Sequence, residues 1–163
     1  MSAPARPVVR PFEDGDRPAI ERMAAEVVRD GTVFPFEDVE GVLGYWFGPA
    51  TRVFVACVDG DVAGSYVLKP NHPGRGAHVC NAGYMVAENR RGHGVGAALG
   101  RHSLDAAREL GYRAMQFNQV VVTNTAAVAL WKRLGFRILA EVPAAFRHPR
   151  LGLVGHYVMF REL

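Results

Sequence analysis

Apolar residues recur at helical spacing in four segments of this chain. The clearest segment runs from Ile20 to Val28, where apolar positions at i, i+3, i+4 and i+7 give one apolar face. Asp14 or Asp16 is its candidate N-cap, and Gly31 follows it as a stop. Asn124 stands in the N-cap position of the last segment. The other three segments are 37–47, whose signal is weaker, 94–110 and 125–134.

Seven shorter segments have the apolar, β-branched and aromatic character of strands. Two of them, 53–58 and 62–68, enclose Asp59-Gly60, a dipeptide typical of a hairpin turn. The remaining strand segments are 6–12, 78–86, 114–122, 136–142 and 154–160. The predicted order is β-α-α-β-β-β-α-β-α-β-β, which indicates an α/β (α+β) fold.

Composition predicts one globular domain over residues 1–163. Apolar residues make up 49% and charged residues 21% of the chain, both close to the globular average. The net charge of +3 is spread over scattered arginines, so we expect no nucleic-acid partner. No stretch approaches the roughly 20 apolar residues that span a bilayer, so we expect no membrane partner and a cytoplasmic location. Cys57 and Cys80 lie in apolar strands and are interpreted as reduced core thiols.

A glycine-rich loop joins the strand at 78–86 to the following helix. Glycines allow close approach of the backbone to an anion, and the first turn of a helix offers unpaired N–H groups, so the segment Arg91 to Gly96 predicts a phosphate site. Gly92, Gly94 and Ala97 also satisfy the dinucleotide fingerprint G-x-G-x-x-A. That fingerprint requires an acidic residue about 20 residues later at a strand end, and the next strand ends without one. We therefore reject the dinucleotide-binding hypothesis.

Two motifs in this chain resemble those of the GNAT (GCN5-related) N-acetyltransferases. Arg91-x-x-Gly94-x-Gly96 is similar to the R/Q-x-x-G-x-G/A motif of that family. The segment 124–136, NTAAVALWKRLGF, is similar to the family's N-x-x-A-x-x-L-[YW]-x-x-x-G-F block. The resemblance implies a mixed, mostly antiparallel seven-stranded sheet with about four helices, in which the fourth and fifth strands splay apart. It also implies acetyl-coenzyme A as the acyl donor, no metal and a possible homodimer.

The resemblance further implies where the donor binds. Pantetheine would lie in the gap between the splayed strands, paired with the backbone of Met85 and Val86. The Val86 N–H would face the thioester carbonyl and stabilise charge on its oxygen, and Asn124 would contribute to catalysis and to cofactor contact. The other implied cofactor residues are Arg91, Gly92, His93, Gly94, Val95, Gly96, Ala97, Ala127 and Trp131.

The expected reaction is direct attack of a neutral amine on the thioester in a ternary complex. Many family members carry a tyrosine at position 131, where its hydroxyl protonates the leaving sulfur. An indole N–H cannot serve as a general acid, so Trp131 is interpreted as a core aromatic that contacts pantetheine. A thiol of ordinary pKa, about 8.5, can leave as a thiolate. The candidate general bases are Glu37, Asp38 and His78. The alternative function is a catalytically weak sensor or scaffold that binds acetyl-coenzyme A.

A narrower resemblance concerns the acceptor. The runs Cys80 to Val86, Gln116-Phe117-Asn118 and Val122-Thr123-Asn124 are similar to those of fungal azetidine-2-carboxylate and proline-analogue N-acetyltransferases. This implies a small amine or an amino or imino acid as substrate. Asparagine is disfavoured in strands, so Asn81 and Asn118 are either substrate ligands or residues of a β-bulge. Predicted pocket residues are Phe34 and Tyr66.

Overall fold

The computed structural model describes residues 6–163 and contains the four helices and seven strands that the sequence predicts. The helices are α1 (Arg17–Asp30), α2 (Val39–Trp46), α3 (Val95–Glu109) and α4 (Thr125–Arg133). The strands are β1 (Val8–Pro11), β2 (Arg52–Val58), β3 (Asp61–Pro70), β4 (Val79–Val86), β5 (Ala114–Val121), β6 (Arg137–His148) and β7 (Gly152–Glu162).

All seven strands form one sheet in the order β1-β2-β3-β4-β5-β7-β6. Every neighbouring pair is antiparallel except β4 and β5, which are parallel. β4 and β5 pair at Val79 with Ala114 and at Cys80 with Met115, and the described strands share no further register beyond Cys80. The sheet therefore opens between β4 and β5, which confirms the predicted splay.

Two hydrophobic clusters cover the two faces of the sheet. The cluster under α3 and α4 contains Tyr66, Leu99, Met115 and Trp131, and the cluster under α1 and α2 contains Met85. Neighbouring residues of a strand point to opposite faces. Within residues 6–163, none of the helices is both long enough and apolar enough to cross a membrane.

The start of α1 differs from its prediction in one respect. Asp16 occupies the N-cap position, but its carboxylate accepts two hydrogen bonds from Arg10, at 2.8 and 2.9 Å, and one from the Glu13 N–H. The hydrogen bonds from Arg10 hold the pKa of Asp16 below its ordinary value. Asp16 thus ties α1 to β1, and it makes no hydrogen bond to a helix N–H. Gly31, at φ 66°, ends α1 as predicted.

The hairpin of β6 and β7 is longer than predicted. The predicted strands 136–142 and 154–160 are extended to Arg137–His148 and Gly152–Glu162. The register shifts between Val142 and Phe146, and Ala144 there has a positive φ of 51°. β6 is an edge strand, so it tolerates Pro143 and lacks the one-sided apolar alternation by which strands are recognised.

Candidate functional site

The exposed backbone of β4 lies along the opening in the sheet. The Ala87 N–H donates to the Ala63 carbonyl at 2.9 Å, so this amide points toward β3. In an antiparallel pair, alternate residues direct their amides to the partner strand. The N–H groups of Tyr84 and Val86 therefore point away from β3, into the gap where β5 has diverged. They are donors available to a ligand in the gap.

The predicted phosphate loop lies at the open end of this gap. Gly92 and Gly94 have φ values of 78° and 80°, a left-handed conformation that residues with a Cβ rarely adopt. Gly94 is the N-cap of α3, and its carbonyl accepts from the Ala98 N–H at 3.0 Å. The first-turn amides of α3 have no partner within the helix, so they face outward as an anion site. These are the N–H groups of Val95, Gly96 and Ala97.

Ion pairs and hydrogen bonds attach the loop to α1. The Arg29 guanidinium contacts the Glu88 carboxylate at 2.7 Å, and the Glu88 N–H donates to Glu26 at 2.9 Å. His93 and Arg91 are exposed, and His93 Nδ1 lies 2.9 Å from the Arg91 carbonyl. The loop is thus fixed at its first turn, while its arginine and histidine side chains reach solvent.

Trp131 packs against the sheet beside the gap, on the side of α4. Its ring centroid lies 4.6 Å from that of Tyr84 and 4.7 Å from that of Phe117, and 7% of the residue is exposed. The Tyr84 hydroxyl contacts Ser103 Oγ at 2.7 Å, and burial raises the pKa of Tyr84. Asn124 Oδ1 accepts from the Ala127 N–H at 3.4 Å, which confirms the predicted N-cap. Trp131 is a core aromatic, as its chemistry indicated.

On the opposite face of β4, aromatic residues surround Gly83. A Cβ at position 83 would lie 3.1 Å from Tyr45 Cε1 and 3.6 Å from Phe34 Cε1. Phe34 is therefore on the α1–α2 side of the sheet, above the strand that borders the gap. The Phe36 ring lies 5.5 Å from that of Tyr45. The rings of Tyr45 and Phe34 therefore cover the backbone of Gly83, which is buried.

Side-chain amides lie on the same face of the sheet as these aromatic residues. Asn81 lies on β4 directly opposite Lys69 of β3, and residues paired in this way share one face of the sheet. On β5, Asn118 Nδ2 donates to Asn71 Oδ1 at 2.8 Å, and Gln116 Nε2 donates to Asn118 Oδ1 at 3.1 Å. The structure thus places Asn81 and Asn118 on the same side of the sheet. Asn71, which follows β3, escaped the sequence analysis because its link to Asn118 spans 47 residues.

Tyr66 was predicted to line the acceptor pocket, but it lies in the hydrophobic core. It has 0% exposure, and its hydroxyl lies 2.8 Å from His102 Nδ1 on α3. Its ring stacks on Phe54 at 4.8 Å. The alternation of β3 directs Tyr66 to the α3 side of the sheet and Lys69 to the α2 side. Tyr66 is a core residue and takes no part in the site proposed below.

The three candidate bases lie away from the gap or are already bonded. Glu37 and Asp38 are exposed, and the Asp38 carboxylate accepts from the Gly41 N–H at 2.7 Å as the N-cap of α2. His78 is exposed just before β4 begins. It stands eight residues from Val86, roughly 26 Å along an extended strand.

His156 on β7 was missed by the sequence analysis. It pairs with Val121 of β5, and it lies on the face that also holds Asn118. β5 borders the gap opposite β4, and its register on β7 shifts between Phe117 and Val120, where Asn118 lies. His156 is 8% exposed, and its buried Nδ1 has no hydrogen-bond partner among the described residues. A buried nitrogen without a hydrogen bond destabilises the folded state, so structural histidines normally have a partner. The missing partner is visible in the structure and not in the sequence.

A cleft of about 390 Å³ lies on this same face, near the ends of β5 and β6. His148 on its wall accepts the N–H groups of Arg150 and Leu151 at Nδ1, each at 3.2 Å. The remaining lining residues are Thr32, Val33, Thr123 and Asn124. Asn124 thus lines this cleft and is also the N-cap of α4. Among the described residues, His, Cys, Asp and Glu form no group that could hold a metal ion.

The fold combines two diverging strands with a glycine-rich loop that leads into a helix N-terminus. The sequence profile of the Acetyltransferase (GNAT) family matches residues 20–136. This chain belongs to that family.

Two curated relatives match about half of this chain. One is N-acetyltransferase aca1 of Schizosaccharomyces pombe, 37% identical over 90 residues, which are 54% of this chain and 43% of the relative. Another is L-amino acid N-acetyltransferase AaaT of Escherichia coli, 31% identical over 91 residues, which are 55% of this chain and 56% of the relative. The chain thus spans about half the length of these relatives.

Solved structures resemble the whole fold. A GCN5-related N-acetyltransferase from Kribbella flavida has a TM-score of 0.90 at 46% identity and covers 96% of this chain and 98% of its own. A phosphinothricin acetyltransferase from Sinorhizobium meliloti in complex with acetyl-coenzyme A has a TM-score of 0.84 at 20% identity, covering 96% and 88%. The predicted GNAT fold is confirmed.

Proposed function

We propose that this protein is an acetyl-coenzyme A-dependent N-acetyltransferase that acts on a small amine or an amino or imino acid. One observation carries the proposal. Free backbone donors of β4 face a gap that ends at a glycine loop and a helix N-terminus. This arrangement offers one site for a pyrophosphate and another, a few residues away, for a thioester.

The residues of the gap fit the donor that the family implies. The amides from Arg91 to Ala97, with the intervening glycines and His93, would hold the pyrophosphate. The backbone of Met85 and Val86 would pair with pantetheine, and Asn124, Ala127 and Trp131 would border it. The Val86 N–H would stabilise negative charge on the thioester oxygen, and the Tyr84 N–H, which faces the same gap, is a second donor. Bound acetyl-coenzyme A supplies the activated acetyl group.

His156 is the general base in this proposal. The attacking nitrogen must be neutral, and a base within reach of the amine accepts its proton directly or through one water. His156 pairs with Val121 of β5, the strand that borders the gap opposite β4, and its buried Nδ1 has no hydrogen-bond partner among the described residues. Trp131 and the buried Tyr84 hydroxyl offer no titratable acid, so the sulfur leaves as a thiolate.

An amino-acid acceptor is supported by two observations of different kind. The face of the sheet that carries Phe34 also carries the amides of Asn81 and Asn118, which can accept from an amine and donate to a carboxylate. The Escherichia coli relative is named an L-amino acid N-acetyltransferase. Azetidine-2-carboxylate and related cyclic imino acids are the narrower form of the proposal.

Thiol release from acetyl-coenzyme A, measured with a panel of amines, tests the function. The panel contains azetidine-2-carboxylate, cis-4-hydroxyproline, standard amino acids, a polyamine and a peptide N-terminus. We expect release with at least one amino or imino acid and none without an amine. Calorimetric binding of acetyl-coenzyme A without turnover of any amine would identify a sensor or scaffold. Absence of binding would refute both functions.

A homodimer is also part of the proposal. The β6–β7 hairpin exposes large apolar side chains, and a second copy of the chain would cover them. These are Leu139, Val142, Leu151 and Leu153, each at least 39% exposed. Sedimentation velocity of the purified protein tests this, and a monomer at all concentrations would contradict it. We place the enzyme in the cytoplasm, which localisation of a tagged chain would check.

A further inference from the structure

The cleft of about 390 Å³ lies at the open end of the gap between β4 and β5. These two strands are parallel, so their C-terminal ends, at Val86 and Val121, lie at the same end of the gap. Thr123 and Asn124, which line the cleft, come just after the end of β5. The residues that follow α1 and the turn between β6 and β7 form the other walls. A molecule in the cleft is therefore next to the end of the gap where we place the thioester.

His148 offers a hydrogen-bond donor to this cleft. It is 6% exposed, and its Nδ1 accepts the N–H groups of Arg150 and Leu151. A neutral imidazole whose Nδ1 accepts carries its hydrogen on Nε2. Within residues 6–163, His148 Nε2 has no hydrogen-bond partner, and only His156 Nδ1 is both buried and unpartnered. The Nε2–H of His148 is therefore accessible, and a molecule in the cleft that His148 lines can accept from it.

The charge around the cleft favours an anion. Among the described residues that line it, Arg150 is the only charged one, and it forms no ion pair within residues 6–163. The carboxylate of Asp30 accepts from the Thr32 hydroxyl, but Asp30 does not line the cleft. α4 begins directly after Asn124, and the unpaired N–H groups of its first turn add partial positive charge at this border.

The cleft also lies close to His156, the proposed general base. His156 pairs with Val121, and the Val122 N–H donates to the Gly155 carbonyl at 3.1 Å, so the pairing of β5 and β7 continues toward the cleft. Thr123 is two residues beyond Val121, about 7 Å along the strand. An α-amino acid has about 2.5 Å between its nitrogen and its carboxyl carbon, and a hydrogen bond of about 2.8 Å at each end extends its reach to about 8 Å. One such molecule can therefore contact both the base and the cleft.

We propose that the cleft binds the carboxylate of the acceptor through Arg150 and the Nε2–H of His148, and so restricts the enzyme to amines with a carboxylate close to the nitrogen. This inference rests on the proposed acetyl transfer, and it names amino and imino acids as the substrate class. Arg150 supplies the charge that recognises the carboxylate. His148 fixes the turn that carries Arg150 through Nδ1 and contacts the substrate through Nε2.

Paired acceptors and an Arg150→Met variant test the carboxylate site. Standard L-amino acids and L-azetidine-2-carboxylate are each compared with their methyl esters, which keep the amine and remove the charge. The ester also changes the pKa of the amine, so the quantity compared between enzymes is the ratio of the ester KM to the acid KM. We expect a ratio of at least about ten in the unmodified enzyme and a fall of about tenfold in Arg150→Met, with KM for acetyl-coenzyme A unchanged. His148→Asn keeps an acceptor for the turn and removes the Nε2–H, so it should lower the ratio by about threefold.

Arg147→Met is the matched control. Arg147 is exposed on the same strand, and the alternation of β6 directs it to the opposite face from His148. This variant should keep the ratio of the unmodified enzyme. A ratio that is the same in Arg150→Met as in the unmodified enzyme would overturn the inference and leave acetyl transfer standing.

Thermal-shift titration with acid and ester at saturating coenzyme A compares binding without turnover. Acid-selective binding that is lost in Arg150→Met, with no acetyl transfer to any amine, would refute the proposed function and leave the carboxylate site standing. Arg150→Lys keeps the positive charge and should retain part of the preference for the acid. Melting curves check the folding of each variant, and Arg150→Gln replaces Arg150→Met if the latter melts at a lower temperature than the unmodified protein.

Discussion

The two faces of the sheet differ in whether their polar groups have hydrogen-bond or ion-pair partners. Under α3 and α4, the Tyr66 hydroxyl is paired with His102 and the Tyr84 hydroxyl with Ser103. On the other face, the Trp46 indole donates to Ser65 Oγ at 2.9 Å, but His156 Nδ1 has no hydrogen-bond partner and Lys69 has no counterion among the described residues. Paired groups fix the positions of β4 and its neighbours, whereas unpaired groups are available to a ligand. We propose that the first face holds the gap open and that the second recognises the acceptor.

The largest effect is expected from His156→Gln. The amide keeps the size and polarity of the side chain but cannot take a proton from the amine, so kcat/KM should fall by about 10²–10⁴-fold. The loss of kcat/KM should be smaller at high pH, where more of the acceptor amine is already deprotonated. Steady-state thiol release over a range of pH measures both. His72→Gln, at an exposed histidine, is the control.

Two results would contradict the role of His156. A rate loss that is the same at every pH, or one that follows a lowered melting temperature, would make His156 a structural residue. The polar groups without partners would then no longer mark the acceptor face as functional.

Gly94→Val tests the cofactor side. Its φ of 80° is strained for a residue with a Cβ, at a cost of about 1–2 kcal/mol, and the branched side chain would stand at the mouth of the phosphate loop. We expect KM for acetyl-coenzyme A to rise by at least about tenfold, with the acceptor KM unchanged. Gly74→Val is the control, because Gly74 also has a positive φ, of 60°, but lies in a distant turn. Unchanged KM for acetyl-coenzyme A would remove the loop from the cofactor site.

Gly83→Ala is the corresponding change on the acceptor side. The added methyl would lie 3.1 Å from Tyr45 and 3.6 Å from Phe34. The distance to Tyr45 is shorter than an ordinary van der Waals contact. We expect the acceptor KM to rise by about threefold to tenfold with acetyl-coenzyme A binding unchanged, because the methyl displaces Tyr45 and the proposed pocket residue Phe34. Isothermal titration with coenzyme A and steady-state kinetics separate the two quantities. An effect on coenzyme A alone would show that the two faces are not divided as proposed.

The cofactor side was predictable because local rules determine it. Gly92 and Gly94 are required by backbone conformation, and Asn124 by its hydrogen bond to the helix end. Such constraints act over a few neighbouring residues, so they can be recognised as motifs in the sequence. The longer β6–β7 hairpin was missed for the opposite reason, since an edge strand with a bulge needs no apolar alternation.

The acceptor side was only partly predictable because its members meet through the sheet. Tyr66 and Lys69 are three residues apart, and the pleat of β3 places them on opposite faces, which composition alone does not reveal. Asn71 reaches Asn118 from a different strand end. His156 becomes notable only when its nitrogen is seen to lack a partner. Strand register, not residue type, decides each of these cases.

The smallest expected effect concerns His102, the paired counterpart of His156. Burial lowers the pKa of His102, whose Nδ1 lies 2.8 Å from the Tyr66 hydroxyl. As pH falls below about 6.5, His102 therefore takes up a proton in the unfolded chain before it does so in the folded protein. Stability is lost from about pH 6.5 down toward the pKa of His102 in the folded protein. Above about pH 6.5, His102 does not change the stability. His102→Gln keeps an acceptor for Tyr66 and removes the titration. Between pH 7 and pH 5, the melting temperature of the variant should fall by about 1–2 °C less than that of the unmodified protein. The difference is small because His102 is partly exposed to solvent. Identical slopes in differential scanning calorimetry would mean that the paired face contributes no pH dependence through this histidine.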